Sequence, residues 1–295
     1  MSSTVETRAA EPATARTRRR FGLRLFGNKL NITATIGLVI IAINLIAAVF
    51  APLIAPYDQT TIVGDAWADP TAQFPLGLDN LGRDLFSRLI YGARMSIGLA
   101  FIITVLSFAL GIVTGFAAGV LRGWVDMVLS RIVDLLLAMP TLIFCFIVLS
   151  VLGTGLGVII TTIAILDSTK VFRLSRALAM NIAALEYVEV ARVRGEGLWW
   201  VIRKEILPNA MAPLIAEFGM RFSFAFLFIA AISFLGVGVQ PPDADWGSMV
   251  RDYRDMINLD STAPLYPAGA IALLTIGVNF VVDWMLAIHS RSHVG

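Results

Sequence analysis

The stretch EYVEVARVRGEGLWWVIRKEILPN, Glu186 to Asn209, decides how this chain is read. It is charged, carries glycine and proline, and lies between two long apolar runs. Ala183 to Arg194 has helical character, with Leu185, Val188 and Arg192 along one side. Gly195-Glu196-Gly197 breaks it. Leu198 to Leu207 resumes a helical pattern with Trp199, Trp200 and Ile206 as apolar anchors, and Pro208 and Pro213 close the segment and open the fifth span. The pattern predicts two short helices around a glycine hinge, apolar side down and Glu186, Glu189, Arg192, Arg194 and Glu196 facing water. Such a strip can lie on lipid as an interfacial helix, or it can form a shaped knob for a cleft on a soluble partner. The mixed charge and the two chain breaks favour the knob.

The surrounding composition is that of a membrane protein. The 295 residues are 57% hydrophobic and 15% charged, against about 45–50% and about 25% in soluble domains. A net charge of +2 gives no case for nucleic acid. Cys145 is the single cysteine, so no internal disulfide exists, and His289 and His293 lie too far from it to form a zinc ligand set. Arg16, Arg18, Arg19 and Arg20 make the start strongly basic. Thr17–Leu23, TRRRFGL, looks like a twin-arginine signal, but the following apolar run is too long for a signal peptide and no cleavage site closes it. A cytoplasmic tail touching anionic lipid is expected.

Each span needs about 20 mostly apolar residues. Six are expected, roughly at 34–55, 96–120, 127–152, 156–177, 213–237 and 266–289. The basic tail places the N-terminus inside, and six crossings return the C-terminus inside. The chain then divides into a basic cytoplasmic tail (1–33), a first transmembrane helix (34–55), an extracytoplasmic segment (56–93), a five-helix transmembrane domain (94–289) containing the loop 183–209, and a cytoplasmic tail (290–295). The outer segments carry Asp58, Asp65, Asp69, Asp79, Asp84, Asp243, Asp245, Asp252, Asp255 and Asp260, and the inner one Arg173, Arg176, Arg192, Arg194, Arg203 and Lys204. Neither kind is long enough to bury a core of its own. Gly111, Gly115 and Gly119 share one helix face, for tight packing or for a sliding surface.

Catalytic signatures are missing. The lysines, Lys29, Lys170 and Lys204, sit in no phosphate-cradling loop, and there is no HExxH or GxSxG. No catalytic residue and no metal site is assigned. Charges inside spans are costly and are functional candidates by default. Arg131 and Asp134, Asp167 and Lys170, and Glu217 and Arg221 are spaced to share helix faces. They are either self-paired structural charges or the polar lining of a substrate route, with Asp167 and Lys170 nearest the midplane.

The opening strip resembles the EAA loop of ABC importer permeases: E-A-A, three residues, G, nine residues, I-x-L-P. Glu189-Val190-Ala191, Gly195 and Leu207-Pro208 match it, with Val190 for the middle Ala and Glu205 where the pattern has Ile. Pro75–Asp84 (PLGLDNLGRD), Ser87–Arg94 (SRLIYGAR), Phe234–Pro242 (FLGVGVQPP) and Trp246–Met249 (WGSM) are similar to segments of peptide-importer permeases. Together they resemble the C-type permease of the dipeptide/oligopeptide/nickel family. The resemblance implies an all-α type I ABC importer permease fold with six spans in the cytoplasmic membrane of a prokaryote. It implies a second homologous permease, two cytoplasmic ABC ATPases that bind ATP and Mg, an extracytoplasmic binding protein, and no cofactor in this chain. Glu189, Ala191, Arg192, Gly195, Glu196, Leu207 and Pro208 would couple to the ATPase, with Gly195 as hinge, Glu189 and Arg192 as docking contacts and Leu207-Pro208 as a rigid link. Dipeptides or oligopeptides are the expected cargo, with nickel complexes, opines or another small solute as alternatives. An ion-coupled secondary transporter using Asp167 and Lys170 is the competing class.

Overall fold

The computed structural model describes residues 24–25, 28–29, 31–259 and 261–292. The TRRRFGL stretch and most of the expected basic tail lie outside the described residues, as do the last three of the closing tail. A two-residue hairpin, β1 (Arg24–Leu25) with β2 (Asn28–Lys29), is the only sheet among the described residues. Among the described residues the α-helices are α1 (Ile32–Val49), α2 (Ala51–Ile54), α3 (Leu85–Leu121), α4 (Gly123–Ala138), α5 (Thr141–Leu152), α6 (Leu156–Ile182), α7 (Glu186–Val193), α8 (Leu198–Val201), α9 (Leu207–Phe234), α10 (Trp246–Tyr253) and α11 (Leu265–Ser292).

Among the described residues, four helical stretches are long and apolar enough to cross a membrane: α1, α3, the continuous run Leu198–Phe234, and α11 through Ile288. A fifth is available if α4 and α5 count as one broken span. The stretch expected as a span over 127–152, with Pro140 midway, forms two helices, α4 and α5. The chain bends by 91° between α4 and α5, where Met139 takes the extended conformation that a following proline imposes and Pro140 caps α5. The 27-residue α6 has sufficient length, but Asp167, Lys170, Arg173 and Arg176 keep it out of the apolar class.

The glycine face of α3 packs on α6. A Cβ at Gly111 would lie 2.8 Å from the Ser168 carbonyl, at Gly115 2.8 Å from that of Phe172, and at Gly119 2.8 Å from that of Arg176. These backbones are as close as the absence of side chains permits. Beneath them, at the end of the bundle that holds α7, Phe108, Phe116, Val120, Val171, Ala179 and Leu214 form a buried cluster that Val188, Val201 and Ile206 complete.

Residues 56–84 and 238–264 pack against one another, as the contacts of Gln59 with Asp243 and of Trp67 with Tyr253 show. Asp79 is wholly buried. Its carboxylate accepts from the Leu81 and Arg83 amides at 2.9 Å each, and lies 2.7 Å from the Arg83 guanidinium and 3.2 Å from that of Arg88. Arg88 also donates to the Gln59 carbonyl at 3.0 Å, and the Gln59 side chain accepts from the Ala244 amide at 2.9 Å. Asp245 caps α10 through the Ser248 amide at 3.0 Å and accepts from the Ser96 hydroxyl at 2.6 Å. Burial pushes its carboxyl up, against these donors. The Trp246 indole donates to the Leu89 carbonyl at 2.9 Å. α10 is thereby fastened to the outer end of α3.

The α3–α6 contact gives a direct contrast. Gly115→Ala places its methyl 2.7 Å from the Ser175 Cβ, whereas nothing lies within 4 Å of a methyl at Gly98. Gly115→Ala should destabilise the detergent-solubilised protein by about 1–3 kcal/mol, read as a lowered thermal unfolding midpoint. Gly98→Ala should leave the midpoint in place.

Candidate functional site

The strip from 183 to 209 folds as an elbow. α7 ends at a Schellman turn: the Glu196 amide donates to the Ala191 carbonyl at 3.2 Å and the Gly195 amide to the Arg192 carbonyl at 2.9 Å. Gly195 sits at φ +84°, in the left-handed region a side chain disfavours. The glycine expected to be a hinge is therefore a hydrogen-bonded turn that sets the angle between α7 and α8.

The second arm is continuous with the span behind it. α8 leads into a π-helical turn, Ile202–Ile206, and straight into α9. Pro208, expected to close the segment and open the fifth span, sits in the first turn of α9. Proline lacks an amide and crowds the carbonyl four residues back. The wider π turn, in which the Leu207 amide reaches the Ile202 carbonyl, accommodates that change of register. Pro213 likewise lies inside α9.

Among the sequence-derived candidates, Ala191 is buried together with Val188, Val201 and Ile206, and this row seats the elbow on the bundle. Glu189, Arg192, Gly195 and Pro208 are exposed, and Glu196 and Leu207 are half-buried. Glu189 and Arg192 line a recess of about 500 Å³ with Arg122, Ala183, Ala184 and Val193. Trp199 was expected as an anchor, but it is 73% exposed, and Val193 is 83% exposed. The outer face of the elbow is therefore apolar as well as charged, a mixture suited to protein contact. A helical pattern read without the turn between its arms assigns Trp199 to the wrong side.

The intramembrane candidates come together in space. Asp167, 1% exposed, lies 3.8 Å from Lys170 on its own helix and 3.4 Å from Arg221 on α9. Arg221 pairs with Glu217 at 2.8 Å. The Ser107 hydroxyl of α3 lies 3.4 Å from the Asp167 carboxylate, and the Lys170 ammonium sits 3.7 Å above the Phe224 ring. Two same-helix pairs legible from spacing thus merge into one neutral cluster across two helices. The expected Arg131–Asp134 pair is replaced by Arg173–Asp134 at 2.9 Å, and Arg176 forks onto Asp126. Both join α6 to α4. Spacing along one helix carries no signal for these cross-helix partners, nor for Ser107 and Phe224. Among the described residues no group of three His, Cys, Asp or Glu is placed to hold a metal ion.

Comparison with known proteins follows the same lines. Residues 111–293 match the family model described as the binding-protein-dependent transport system inner membrane component, and residues 18–75 match the N-terminal TM domain of oligopeptide transport permease C. The chain is 37% identical to the di/tripeptide transport system permease protein DppC of Pseudomonas aeruginosa, covering 84% of each. It is 35% identical to the dipeptide transport system permease protein DppC of Escherichia coli K12, over 86% of this chain and 87% of that one. A chain of the inward-facing MetNI methionine ABC transporter superposes with a TM-score of 0.55 at 16% identity, covering 68% of this chain and 97% of that one. A second, from an amino acid ABC transporter, has a TM-score of 0.50 at 18% identity, covering 68% and 92%. The solved structures bear on the fold alone; the sequence matches go further. This chain belongs to the family of binding-protein-dependent inner-membrane transport components, as a transport permease and not a catalytic enzyme.

Proposed function

We propose that this chain is the permease subunit of an ATP-driven importer that carries short peptides, dipeptides or oligopeptides, across the cytoplasmic membrane. The peptide cargo rests on the relatives, which are named as dipeptide and di/tripeptide permeases. The observation that carries the mechanism is the elbow: a locked turn, seated on buried Val188 and Ala191, with an exposed outer face and an unbroken helical path into α9. A push on its outer face tilts α9 as a lever, because the Schellman turn and the continuous helix leave little slack between them.

In this reading α4 with α5 forms one broken span and α6 another, which makes six and puts both termini in the cytoplasm. The charges of α6 are tolerable there because Asp167, Arg173 and Arg176 each have a partner on α4 or α9, and Lys170 lies beside Asp167 on α6 itself. Domain boundaries follow: tails at 1–33 and 290–295, a first helix at 34–55, an outer segment at 56–93 and the type-1 transmembrane domain at 94–289, with the coupling loop at 183–209. A second, homologous permease completes the pore, and an extracytoplasmic binding protein delivers cargo. Two ATPase subunits bind ATP and Mg, so the chain itself carries no cofactor. Glu189, Arg192, Glu196, Val193 and Trp199 meet the ATPase, Ala191 seats the elbow, Gly195 sets its angle, and Leu207-Pro208 joins it to α9. Asp167, Lys170, Glu217 and Arg221 line the translocation path.

Three outcomes test this reading. Gly195→Asp forces a side chain into the left-handed region at the turn; peptide uptake should fall at least tenfold while the amount of protein in the membrane is unchanged. In a Cys145→Ala background, Val193→Cys should react with an impermeant maleimide only from the cytoplasmic side and Leu81→Cys only from the outer side; the reverse pattern inverts the topology. Uptake by the assembled transporter in vesicles should continue when an uncoupler collapses the proton gradient and stop when ATP is withheld, the opposite of a secondary transporter.

A further inference from the structure

We infer that Lys170 is the residue that receives the carboxylate of the peptide in transit, a specificity contact that rests on the peptide-permease reading above. Lys170 lies midway along α6. Its ammonium is 3.8 Å from the nearest Asp167 oxygen, beyond hydrogen-bonding distance. Its other close neighbour is the face of Phe224 at 3.7 Å, which attracts a cation without accepting a conventional hydrogen bond. Arg221, by contrast, is engaged with Glu217 at 2.8 Å and with Asp167 at 3.4 Å. The two cations differ in access: Arg221 is 17% exposed and faces two carboxylates, whereas Lys170 is 33% exposed and ion-paired with Asp167 alone.

The exposures point the same way. Asp167 is 1% exposed and Lys170 33%, so the cluster buries its central anion and presents an ammonium. An ammonium at that depth is too costly to leave facing acyl chains, so it faces water or protein. A carboxylate supplies acceptor oxygens to the ammonium donors that Asp167 does not take up, in a charge-assisted hydrogen bond about twice as strong as a neutral one. A terminal amide supplies an acceptor but no charge. Met220 and Phe224, half-buried on the same face of α9, offer apolar surface beside it for the cargo's side chains.

The test uses the transporter reconstituted in vesicles with its ATPase, permease and binding-protein partners. Uptake of a dipeptide and of its C-terminal amide is measured at saturating concentration, each variant against wild type on the same substrate, which cancels the binding protein's own preference. Lys170→Met should lower dipeptide uptake at least tenfold and amide uptake less than twofold, and Lys170→Arg should retain most of both. Equal losses, or no loss, overturn the inference. So does disappearance of the co-purifying subunits, which would make Lys170 an ion-pair partner between chains. A second arm needs no amide. Lys170→Cys in a Cys145→Ala background should lose uptake and regain it on aminoethylation by a methanethiosulfonate reagent, but not on sulfonatoethylation; failure of either reagent to react would place the side chain away from water and overturn the inference. Wild-type vesicles that carry no peptide at all would instead overturn the peptide reading, and this inference with it.

Discussion

The contact of α3 with α6 is the constraint on which the rest of this bundle depends. Without side chains at Gly111, Gly115 and Gly119, the two backbones approach until the carbonyls of Ser168, Phe172 and Arg176 bear directly on α3. In a lipid-embedded bundle close packing of this kind replaces much of the hydrophobic drive available to soluble domains. The approach brings Ser107 of α3 to Asp167 of α6. It also aligns Phe116, Val120, Val171 and Ala179 into the floor on which the elbow rests. A side chain on the glycine face would move the charge cluster and the elbow's seat together.

Charge on α6 is the second organising term. A helix bearing Asp167, Lys170, Arg173 and Arg176 is poorly suited to cross lipid alone. Its neighbours resolve this by pairing: Arg173 and Arg176 onto α4, Asp167 onto Arg221 of α9. The same contacts tie α4, α6 and α9 together. The outer end uses buried ions differently. Asp79 holds Arg83 and Arg88 with amides filling its remaining lone pairs, so removing the carboxylate would leave two guanidinium groups buried without it. That network fixes the outer segment against α3 and α10 as one unit.

The elbow joins these parts. Its underside is apolar and buried, its turn is locked by two backbone hydrogen bonds, and its second arm passes through a π turn into α9 without a break. Local geometry that is rigid at the turn and continuous along the helix transmits displacement instead of absorbing it. The exposed Val193 and Trp199 beside Glu189 and Arg192 give the outer face both apolar area and charge.

Much of this was legible in the sequence. Apolar runs of span length, the glycine period of α3, the breaks at Gly195 and Pro208 and the same-helix charge spacings are all local properties, set by residue type and helical repeat, and they place most helices, the elbow and the members of the charge cluster. The resemblance of the strip and its flanking segments to importer permeases agrees with the family the chain belongs to. Other features were decided only by tertiary structure. The continuity of α8 with α9, the outward face of Trp199, the exchange of Arg131 for Arg173 as partner of Asp134, and the meeting of Asp167 with Arg221 all depend on what lies across from a residue. Sequence spacing reports which side chains share a face of one helix. Which face meets which neighbour is settled by packing three dimensions of surface at once, and buried charges then take whichever partner that packing brings within reach.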